Sequence, residues 1–205
     1  MKLYMNPLSP NVRRVRVTAA ALELPLEEVR LDFTKGEHKS PEYLALNANG
    51  AVPTLVDGDF VLTESRAIMQ YLASTKPASG LLPRDEKPRA ETTRWQFWDA
   101  SHFSPALGSF TFEKIIKAMF GMGAPDQGKI DEALTGFRRF GAVLNTRLQG
   151  KEYMVGNALT IADLTIACSL MYAKQTEAPL GEFPNLESWF SRMTAMDAWK
   201  KTSPT

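Results

Sequence analysis

Two points in the first 65 residues place a small hydroxyl at the start of a helix-like run. Ser9-Pro10 precedes a stretch in which Val12, Val15, Ala19 and Leu22 share one helical face. Glu64-Ser65 precedes another, with Ala67, Ile68, Tyr71 and Leu72 turned inward. A hydroxyl in such a place accepts from first-turn amides as an N-cap. A helix that starts directly after a strand also presents its amides to an anion, so Ser65 reads either as a cap or as part of a carboxylate site. Asp163 lies in an apolar run, where an acid invites a catalytic reading. Thr160 as N-cap, Asp163 at N3 and Leu159 with Leu164 as a hydrophobic staple explain it as structure instead. His38 and His102 form no ligand cluster, so no metal site is expected. Gly121-Met122-Gly123-Ala124-Pro125 lacks the preceding strand of a dinucleotide fingerprint and reads as a turn.

The elements that must carry these residues divide at a breaker-rich stretch, Lys76-Pro77-Ala78-Ser79-Gly80-Leu81-Leu82-Pro83. Before it, strand patterns cover 2–6, 28–33, 52–56 and 60–63, the last two flanking Asp57-Gly58-Asp59 as a hairpin. The spacing predicts helices over 10–22 and 64–74. A strand-helix-strand start gives a parallel pair, and the hairpin adds antiparallel strands, which is the outline of a thioredoxin-like α/β domain. Beyond the linker only helical patterns occur, over 87 to about 122, 129–148, 161–174 and 186–201. Pro105 and Gly108 are expected to bend or split the first of these. All four tryptophans and nine of the eleven phenylalanines lie beyond residue 76. The division expected is a domain over 1–76, a linker over 77–85 and an all-α domain over 86–205.

Composition limits the partners. The 205 residues carry a formal net charge of +1, with 44% hydrophobic and 23% charged residues, the usage of an ordinary soluble globular protein. That balance argues against nucleic-acid and anionic-membrane partners, both of which need a concentrated basic surface. Arg13, Arg14 and Arg16 accordingly read as the solvated face of the first helix. The 159–173 segment, interrupted by Asp163, Thr160, Thr165 and Ser169, falls short of a membrane span, and no targeting signal opens the chain. Cys168, the single cysteine, cannot form an internal disulfide and fits a core position in a reducing, cytoplasmic compartment.

Several blocks, in order, resemble the cytosolic glutathione transferases. Ser9-Pro10-Asn11-Val12-Arg13-Arg14-Val15 is similar to their serine-type signature. The run from Glu37 to Asn47 with Gly50-Ala51-Val52-Pro53-Thr54-Leu55 is similar to a second block, and Asp57-Gly58 through Thr63-Glu64-Ser65-Arg66-Ala67-Ile68 to a third. The wording is nearest the phi class and its bacterial relatives. Over the helical half the resemblance rests on the capped helix at Thr160–Asp163 and on helix order.

The resemblance implies that Ser9 donates a hydrogen bond to the glutathione sulfur, with Asn11 as a competing donor. A thiol of pKa about 8.5 is only about 3% ionised at pH 7. Lowering that value to about 6.5 makes it roughly three-quarters thiolate, for about 2.7 kcal/mol. A hydroxyl together with the positive end of a helix can supply this. By the same resemblance Val52-Pro53 is a cis pair whose backbone meets the cysteinyl unit. Glu64 and Ser65 hold the γ-glutamyl group, and His38 and Lys39 meet the glycyl carboxylate. Ala51 departs from the phi pattern, which has glutamine there, so one amide contact to the tripeptide is lost. Tyr4, reminiscent of tyrosine-type classes, falls in a strand and reads as packed. No cysteine stands at the Ser9 site, which disfavours thiol-disulfide exchange.

Trp98, His102, Phe103 and Phe110 are expected to line an electrophile pocket, with core packing as the competing reading. The implied activity is attack of the glutathione thiolate on a hydrophobic electrophile by a homodimer. Glutathione serves as co-substrate, and no prosthetic group or metal is required. A non-catalytic protein that holds glutathione or an apolar ligand on the same fold is the alternative.

Overall fold

The computed structural model describes residues 1–204 and divides into two compact units. The first comprises Met1–Leu82 together with the segment from Ala195 onward, and the second Pro83–Thr194. The last helix therefore belongs to the α/β unit, whereas the sequence reading assigned it to the helical domain.

In the α/β unit, β1 (Lys2–Met5), β2 (Glu27–Arg30), β3 (Thr54–Asp57) and β4 (Phe60–Leu62) form one sheet in the order β2-β1-β3-β4. β1 runs parallel to β2, with Leu3 opposite Glu28, and antiparallel to β3, where Leu3 faces Leu55. β3 and β4 form the expected hairpin. Leu3, Met5 and Leu55 supply the inner face. β2 is an edge strand and mostly exposed. It stops at Arg30, three residues short of the predicted end, although Leu31 N–H still donates to the Met5 carbonyl at 2.8 Å.

Helix α1 (Pro10–Ala21) bridges the parallel pair, α2 (Pro41–Leu46) is a short helix capped by Ser40, and α3 (Ser65–Thr75) follows the hairpin. α1 packs against α3 and against α11 (Asp197–Lys201). The contact with α11 corrects the reading of the basic triplet. Arg13 is 4% exposed and lies over the Trp199 ring at 3.8 Å, donating to the Trp199 carbonyl. Arg14 is fully buried, and Arg16 reaches Glu28 at 2.6 Å and the Thr202 carbonyl. A planar guanidinium can stack on an indole and bond a carbonyl at once, and these two contacts offset part of the cost of burying Arg13.

The helical unit begins with α4 (Glu86–Trp98). A π-helical stretch over Asp99–Phe103 leads into α5 (Ser104–Thr111), and a second over Phe112–Ile116 into α6 (Lys117–Met119). The helix predicted to split at Pro105 instead widens one turn earlier. A proline removes its own N–H and crowds the carbonyl four residues back, and that carbonyl belongs to Ser101 inside the first π stretch. Next come α7 (Gln127–Arg147, capped by Asp126), α8 (Ile161–Ser169), α9 (Ala173–Thr176) and α10 (Pro184–Ala195). Every residue of α8 is buried, which marks it as the central helix of this unit. Its capping box forms as read. The Asp163 carboxylate accepts from Thr160 N–H and Oγ1 at 3.0 and 3.1 Å, from Met154 N–H at 2.7 Å and from Trp189 Nε1 at 3.1 Å. Cys168 is a core residue on this helix.

Candidate functional site

The α/β unit holds a cavity of about 310 Å³ lined by Asn11, Asn47, Asn49, Ala51, Val52, Pro53, Glu64 and Ser65. Five of the residues singled out from sequence therefore meet there: Asn11, Val52, Pro53, Glu64 and Ser65. Ser9, His38 and Lys39 are not in the lining.

Three local devices build the cavity. The first is the start of α1. Ser9 is its N-cap, in extended conformation, and accepts from Val12 N–H at 3.4 Å. Accepting that bond leaves the hydroxyl proton available to donate. The first turn of α1 carries no acidic residue, so its positive end is not neutralised locally.

The second device is the loop into β3, where the Val52-Pro53 bond is cis. The Ala51 carbonyl just before it accepts from the Tyr43 hydroxyl at 2.6 Å and from Asn47 Nδ2 at 2.8 Å. Both groups also contact Thr54 Oγ1. Burial pushes the Tyr43 phenol above its usual range, so it stays a neutral donor. Asn47 Oδ1 accepts from Asn49 N–H, and Gly50 follows at φ +56°. A Cβ at Gly50 would lie 2.7 Å from Lys39 Nζ and 2.8 Å from the His38 carbonyl, so glycine is required both for conformation and for space. Lys39 itself donates to the Asn49 carbonyl at 3.4 Å, which ties the 38–39 segment to the cavity's loop. His38 packs tilted against Phe33 with ring centres 4.4 Å apart, and its Nδ1 is buried without a partner.

The third device is the start of α3. Glu64 occupies the N-cap position at φ +65°, a region non-glycine residues rarely adopt. Its side chain makes no capping bond, so the Glu64 carboxylate does not occupy the helix start beside the cavity, where an anion would be favoured. Ser65 is 4% exposed, and its Oγ donates to Asn11 Oδ1 at 3.4 Å. The same oxygen accepts from Arg14 Nη1.

Asn47 and Asn49, which line the cavity, and Arg14, which bonds Asn11 behind it, were not singled out from sequence. The Asn-Ala-Asn-Gly run carried a usable signal, because asparagine two residues ahead of an N–H favours an Asx turn. Arg14 gave none that separates it from its neighbours Arg13 and Arg16.

In the helical unit, Trp98 is half-buried within a ring cluster. It meets Trp95 at 5.2 Å, Phe103 at 5.9 Å and Phe140 at 5.8 Å. His102 is exposed and stacks on Phe140 at 5.4 Å. Phe103 and Phe110 are sealed in the core at 0% and 1% exposure, Phe110 against Ile130 and Ala133. Of the four residues expected to line an electrophile pocket, these two instead pack the interior. Asp99, also buried, accepts from Ser169 Oγ. Among the described residues no group of three or more His, Cys, Asp or Glu is arranged to hold a metal, and no helix is long and apolar enough to cross a membrane.

A mixed four-stranded sheet with a ligand cavity at two helix starts and a cis-proline loop, followed by an all-helical unit, defines a thioredoxin-like domain joined to a helical one. Residues 1–74 match the glutathione S-transferase N-terminal domain and residues 107–197 the C-terminal domain. Glutathione S-transferase 3 of Zea mays is 35% identical over 98% of this chain and 92% of its own. A solved glutathione S-transferase III in apo form superposes with a TM-score of 0.88 at 36% identity, covering 98% and 94% of the two chains. Glutathione S-transferase-I bound with lactoylglutathione superposes at 0.89 with 30% identity over 98% and 97%. The chain belongs to the glutathione S-transferase family, as the motif blocks implied.

Proposed function

We propose that the protein is a serine-type glutathione transferase that ionises the glutathione thiol and directs it at a hydrophobic electrophile. The observation that carries this reading is the cavity itself, which gathers the starts of α1 and α3 and the cis Val52-Pro53 loop around a peptide-sized space. The γ-glutamyl carboxylate takes the uncapped first-turn amides of α3 and the Ser65 hydroxyl, with Glu64 beside the ammonium. The backbone of Val52 pairs with the cysteinyl unit. Lys39, with His38, meets the glycyl carboxylate.

The Ser9 hydroxyl then donates to the sulfur, assisted by the positive end of α1. The thiol proton leaves to solvent. The thiolate lone pair forms the new C–S bond as the electrophile's leaving group departs or its double bond takes up the charge. The protein acts as a cytoplasmic homodimer.

A glutathione-dependent electrophile screen run beside Ser9→Ala tests the reading. If Ser9 provides most of a two-unit lowering of the thiol pKa, the variant's thiolate fraction at pH 7 falls about twentyfold. Turnover falls with it while glutathione binding is largely kept. Retention on immobilised glutathione with no turnover of any electrophile by the wild type would favour the non-catalytic binding alternative.

A further inference from the structure

The Asn11 carboxamide is held on one side only. Its Oδ1 accepts from the guanidinium of Arg14, one turn along α1, and from Ser65 Oγ at 3.4 Å across on α3. A guanidinium has five donors and no acceptor, so the atom facing Arg14 must be the oxygen. Chemistry thus fixes the orientation of an amide that could otherwise flip. The Nδ2 protons are turned away from Arg14 and Ser65, and Asn11 is an exposed residue of the cavity lining. Arg14 is fully buried. A buried cation must be satisfied by hydrogen bonds, and Asn11 Oδ1 is one of the acceptors that hold Arg14 in place.

We infer that Arg14 is a positioning residue: it locks Asn11 with its NH₂ toward the cavity, making Asn11 a second donor to the bound glutathione sulfur beside Ser9. This rests on the transferase reading for the identity of the ligand. The two bonds to Oδ1 differ in kind. The Ser65 bond is long and neutral, so it yields readily when a γ-glutamyl carboxylate offers Ser65 a charge-assisted acceptor. The Arg14 bond carries a full charge and persists, so Asn11 remains oriented when the site is filled. Withdrawal of electron density toward the guanidinium also strengthens Nδ2 as a donor.

The test is an ultraviolet thiolate titration of glutathione bound to the full-length protein, with turnover of 1-chloro-2,4-dinitrobenzene and thermal melting measured in parallel. Asn11→Ala is expected to raise the ionisation midpoint of the bound thiol by about half a pH unit, about a threefold loss of thiolate below the midpoint. Arg14→Met, which keeps the stem without the guanidinium, is expected to raise it similarly, and the double variant to add little further. A lowered melting temperature with an unmoved midpoint in Arg14→Met would make Arg14 a purely structural residue and overturn the inference. Should Arg14→Met fail to fold, Arg14→Gln decides. Its amide can accept as well as donate, so it no longer fixes which way Asn11 points; the midpoint must rise, and an unchanged midpoint overturns the inference. Because the titration needs only bound glutathione, a wild type that holds a thiolate without turnover defeats the transferase reading and leaves the role of Arg14 standing. A wild type with no thiolate signal defeats the inference itself.

Discussion

Replacing Asp163 separates architecture from chemistry in the helical unit. The carboxylate is fully buried and accepts from the Met154, Thr160 and Trp189 N–H groups and the Thr160 hydroxyl. Burial pushes its carboxyl above the usual range while these donors pull it back. In Asp163→Ala the hydroxyl can rotate to a new partner, but three N–H groups are fixed by backbone or ring and left without an acceptor. At about 1–3 kcal/mol for each orphaned donor, less what an entering water restores, the expected loss is about 3–6 kcal/mol. That is a large share of a typical 5–15 kcal/mol. Asp163→Asn keeps one oxygen and should lose about half as much. Urea unfolding followed by tryptophan fluorescence measures both, with Trp189 reporting directly on the site. A loss under about 1 kcal/mol in the alanine variant would refute the reasoning. So would a collapse of turnover in the asparagine variant with its unfolding curve unmoved, since Asp163 would then be acting in catalysis.

Other perturbations have defined outcomes. The Asp126 N–H and Lys117 hold the Glu113 carboxyl below the ordinary 4.5. A folded value below the unfolded one stabilises above that range and is lost on acidification, so Glu113→Gln should flatten the fall in stability below pH 4.5 seen in acid unfolding of the wild type. Ala51→Gln restores the missing amide at the cavity and should tighten glutathione about two- to tenfold by calorimetry, the worth of one net hydrogen bond. Gly141→Ala should destabilise by about 1–3 kcal/mol in the same urea assay despite alanine's better helix propensity. Its Cβ would lie 2.7 Å from the Phe183 ring.

Much of this was readable because it is local. The Thr160–Asp163 box, the Asp57-Gly58-Asp59 hairpin and the starts of α1 and α3 are each decided by residues within a few positions of one another, and they formed where the spacing placed them. Five cavity residues followed from the same local signals together with the motif blocks. What failed depended on distance. Arg13 is paired with Trp199, 186 positions away, and no pattern within α1 distinguishes a cation facing water from one facing a distant indole. Phe103 and Phe110 lie at spacings that suit either a pocket or a core, and only the packing of α7 beneath Phe110 decides. The π stretches are likewise adjustments of register, invisible to a periodicity of 3.6.

The clamp of α11 on α1 has a consequence for how the protein is made. α1 begins at the cavity, and the segment carrying α11 partners two of its arginines: Arg13 lies over the Trp199 ring and Arg16 donates to the Thr202 carbonyl. Trp199 and Thr202 leave the ribosome only after the whole of the helical unit has been synthesised. Residues 1–82 therefore lack their α11 contacts until the chain returns to supply them. Cleavage or truncation that spares every cavity residue but removes α11 therefore strips Arg13 of its indole and carbonyl partners.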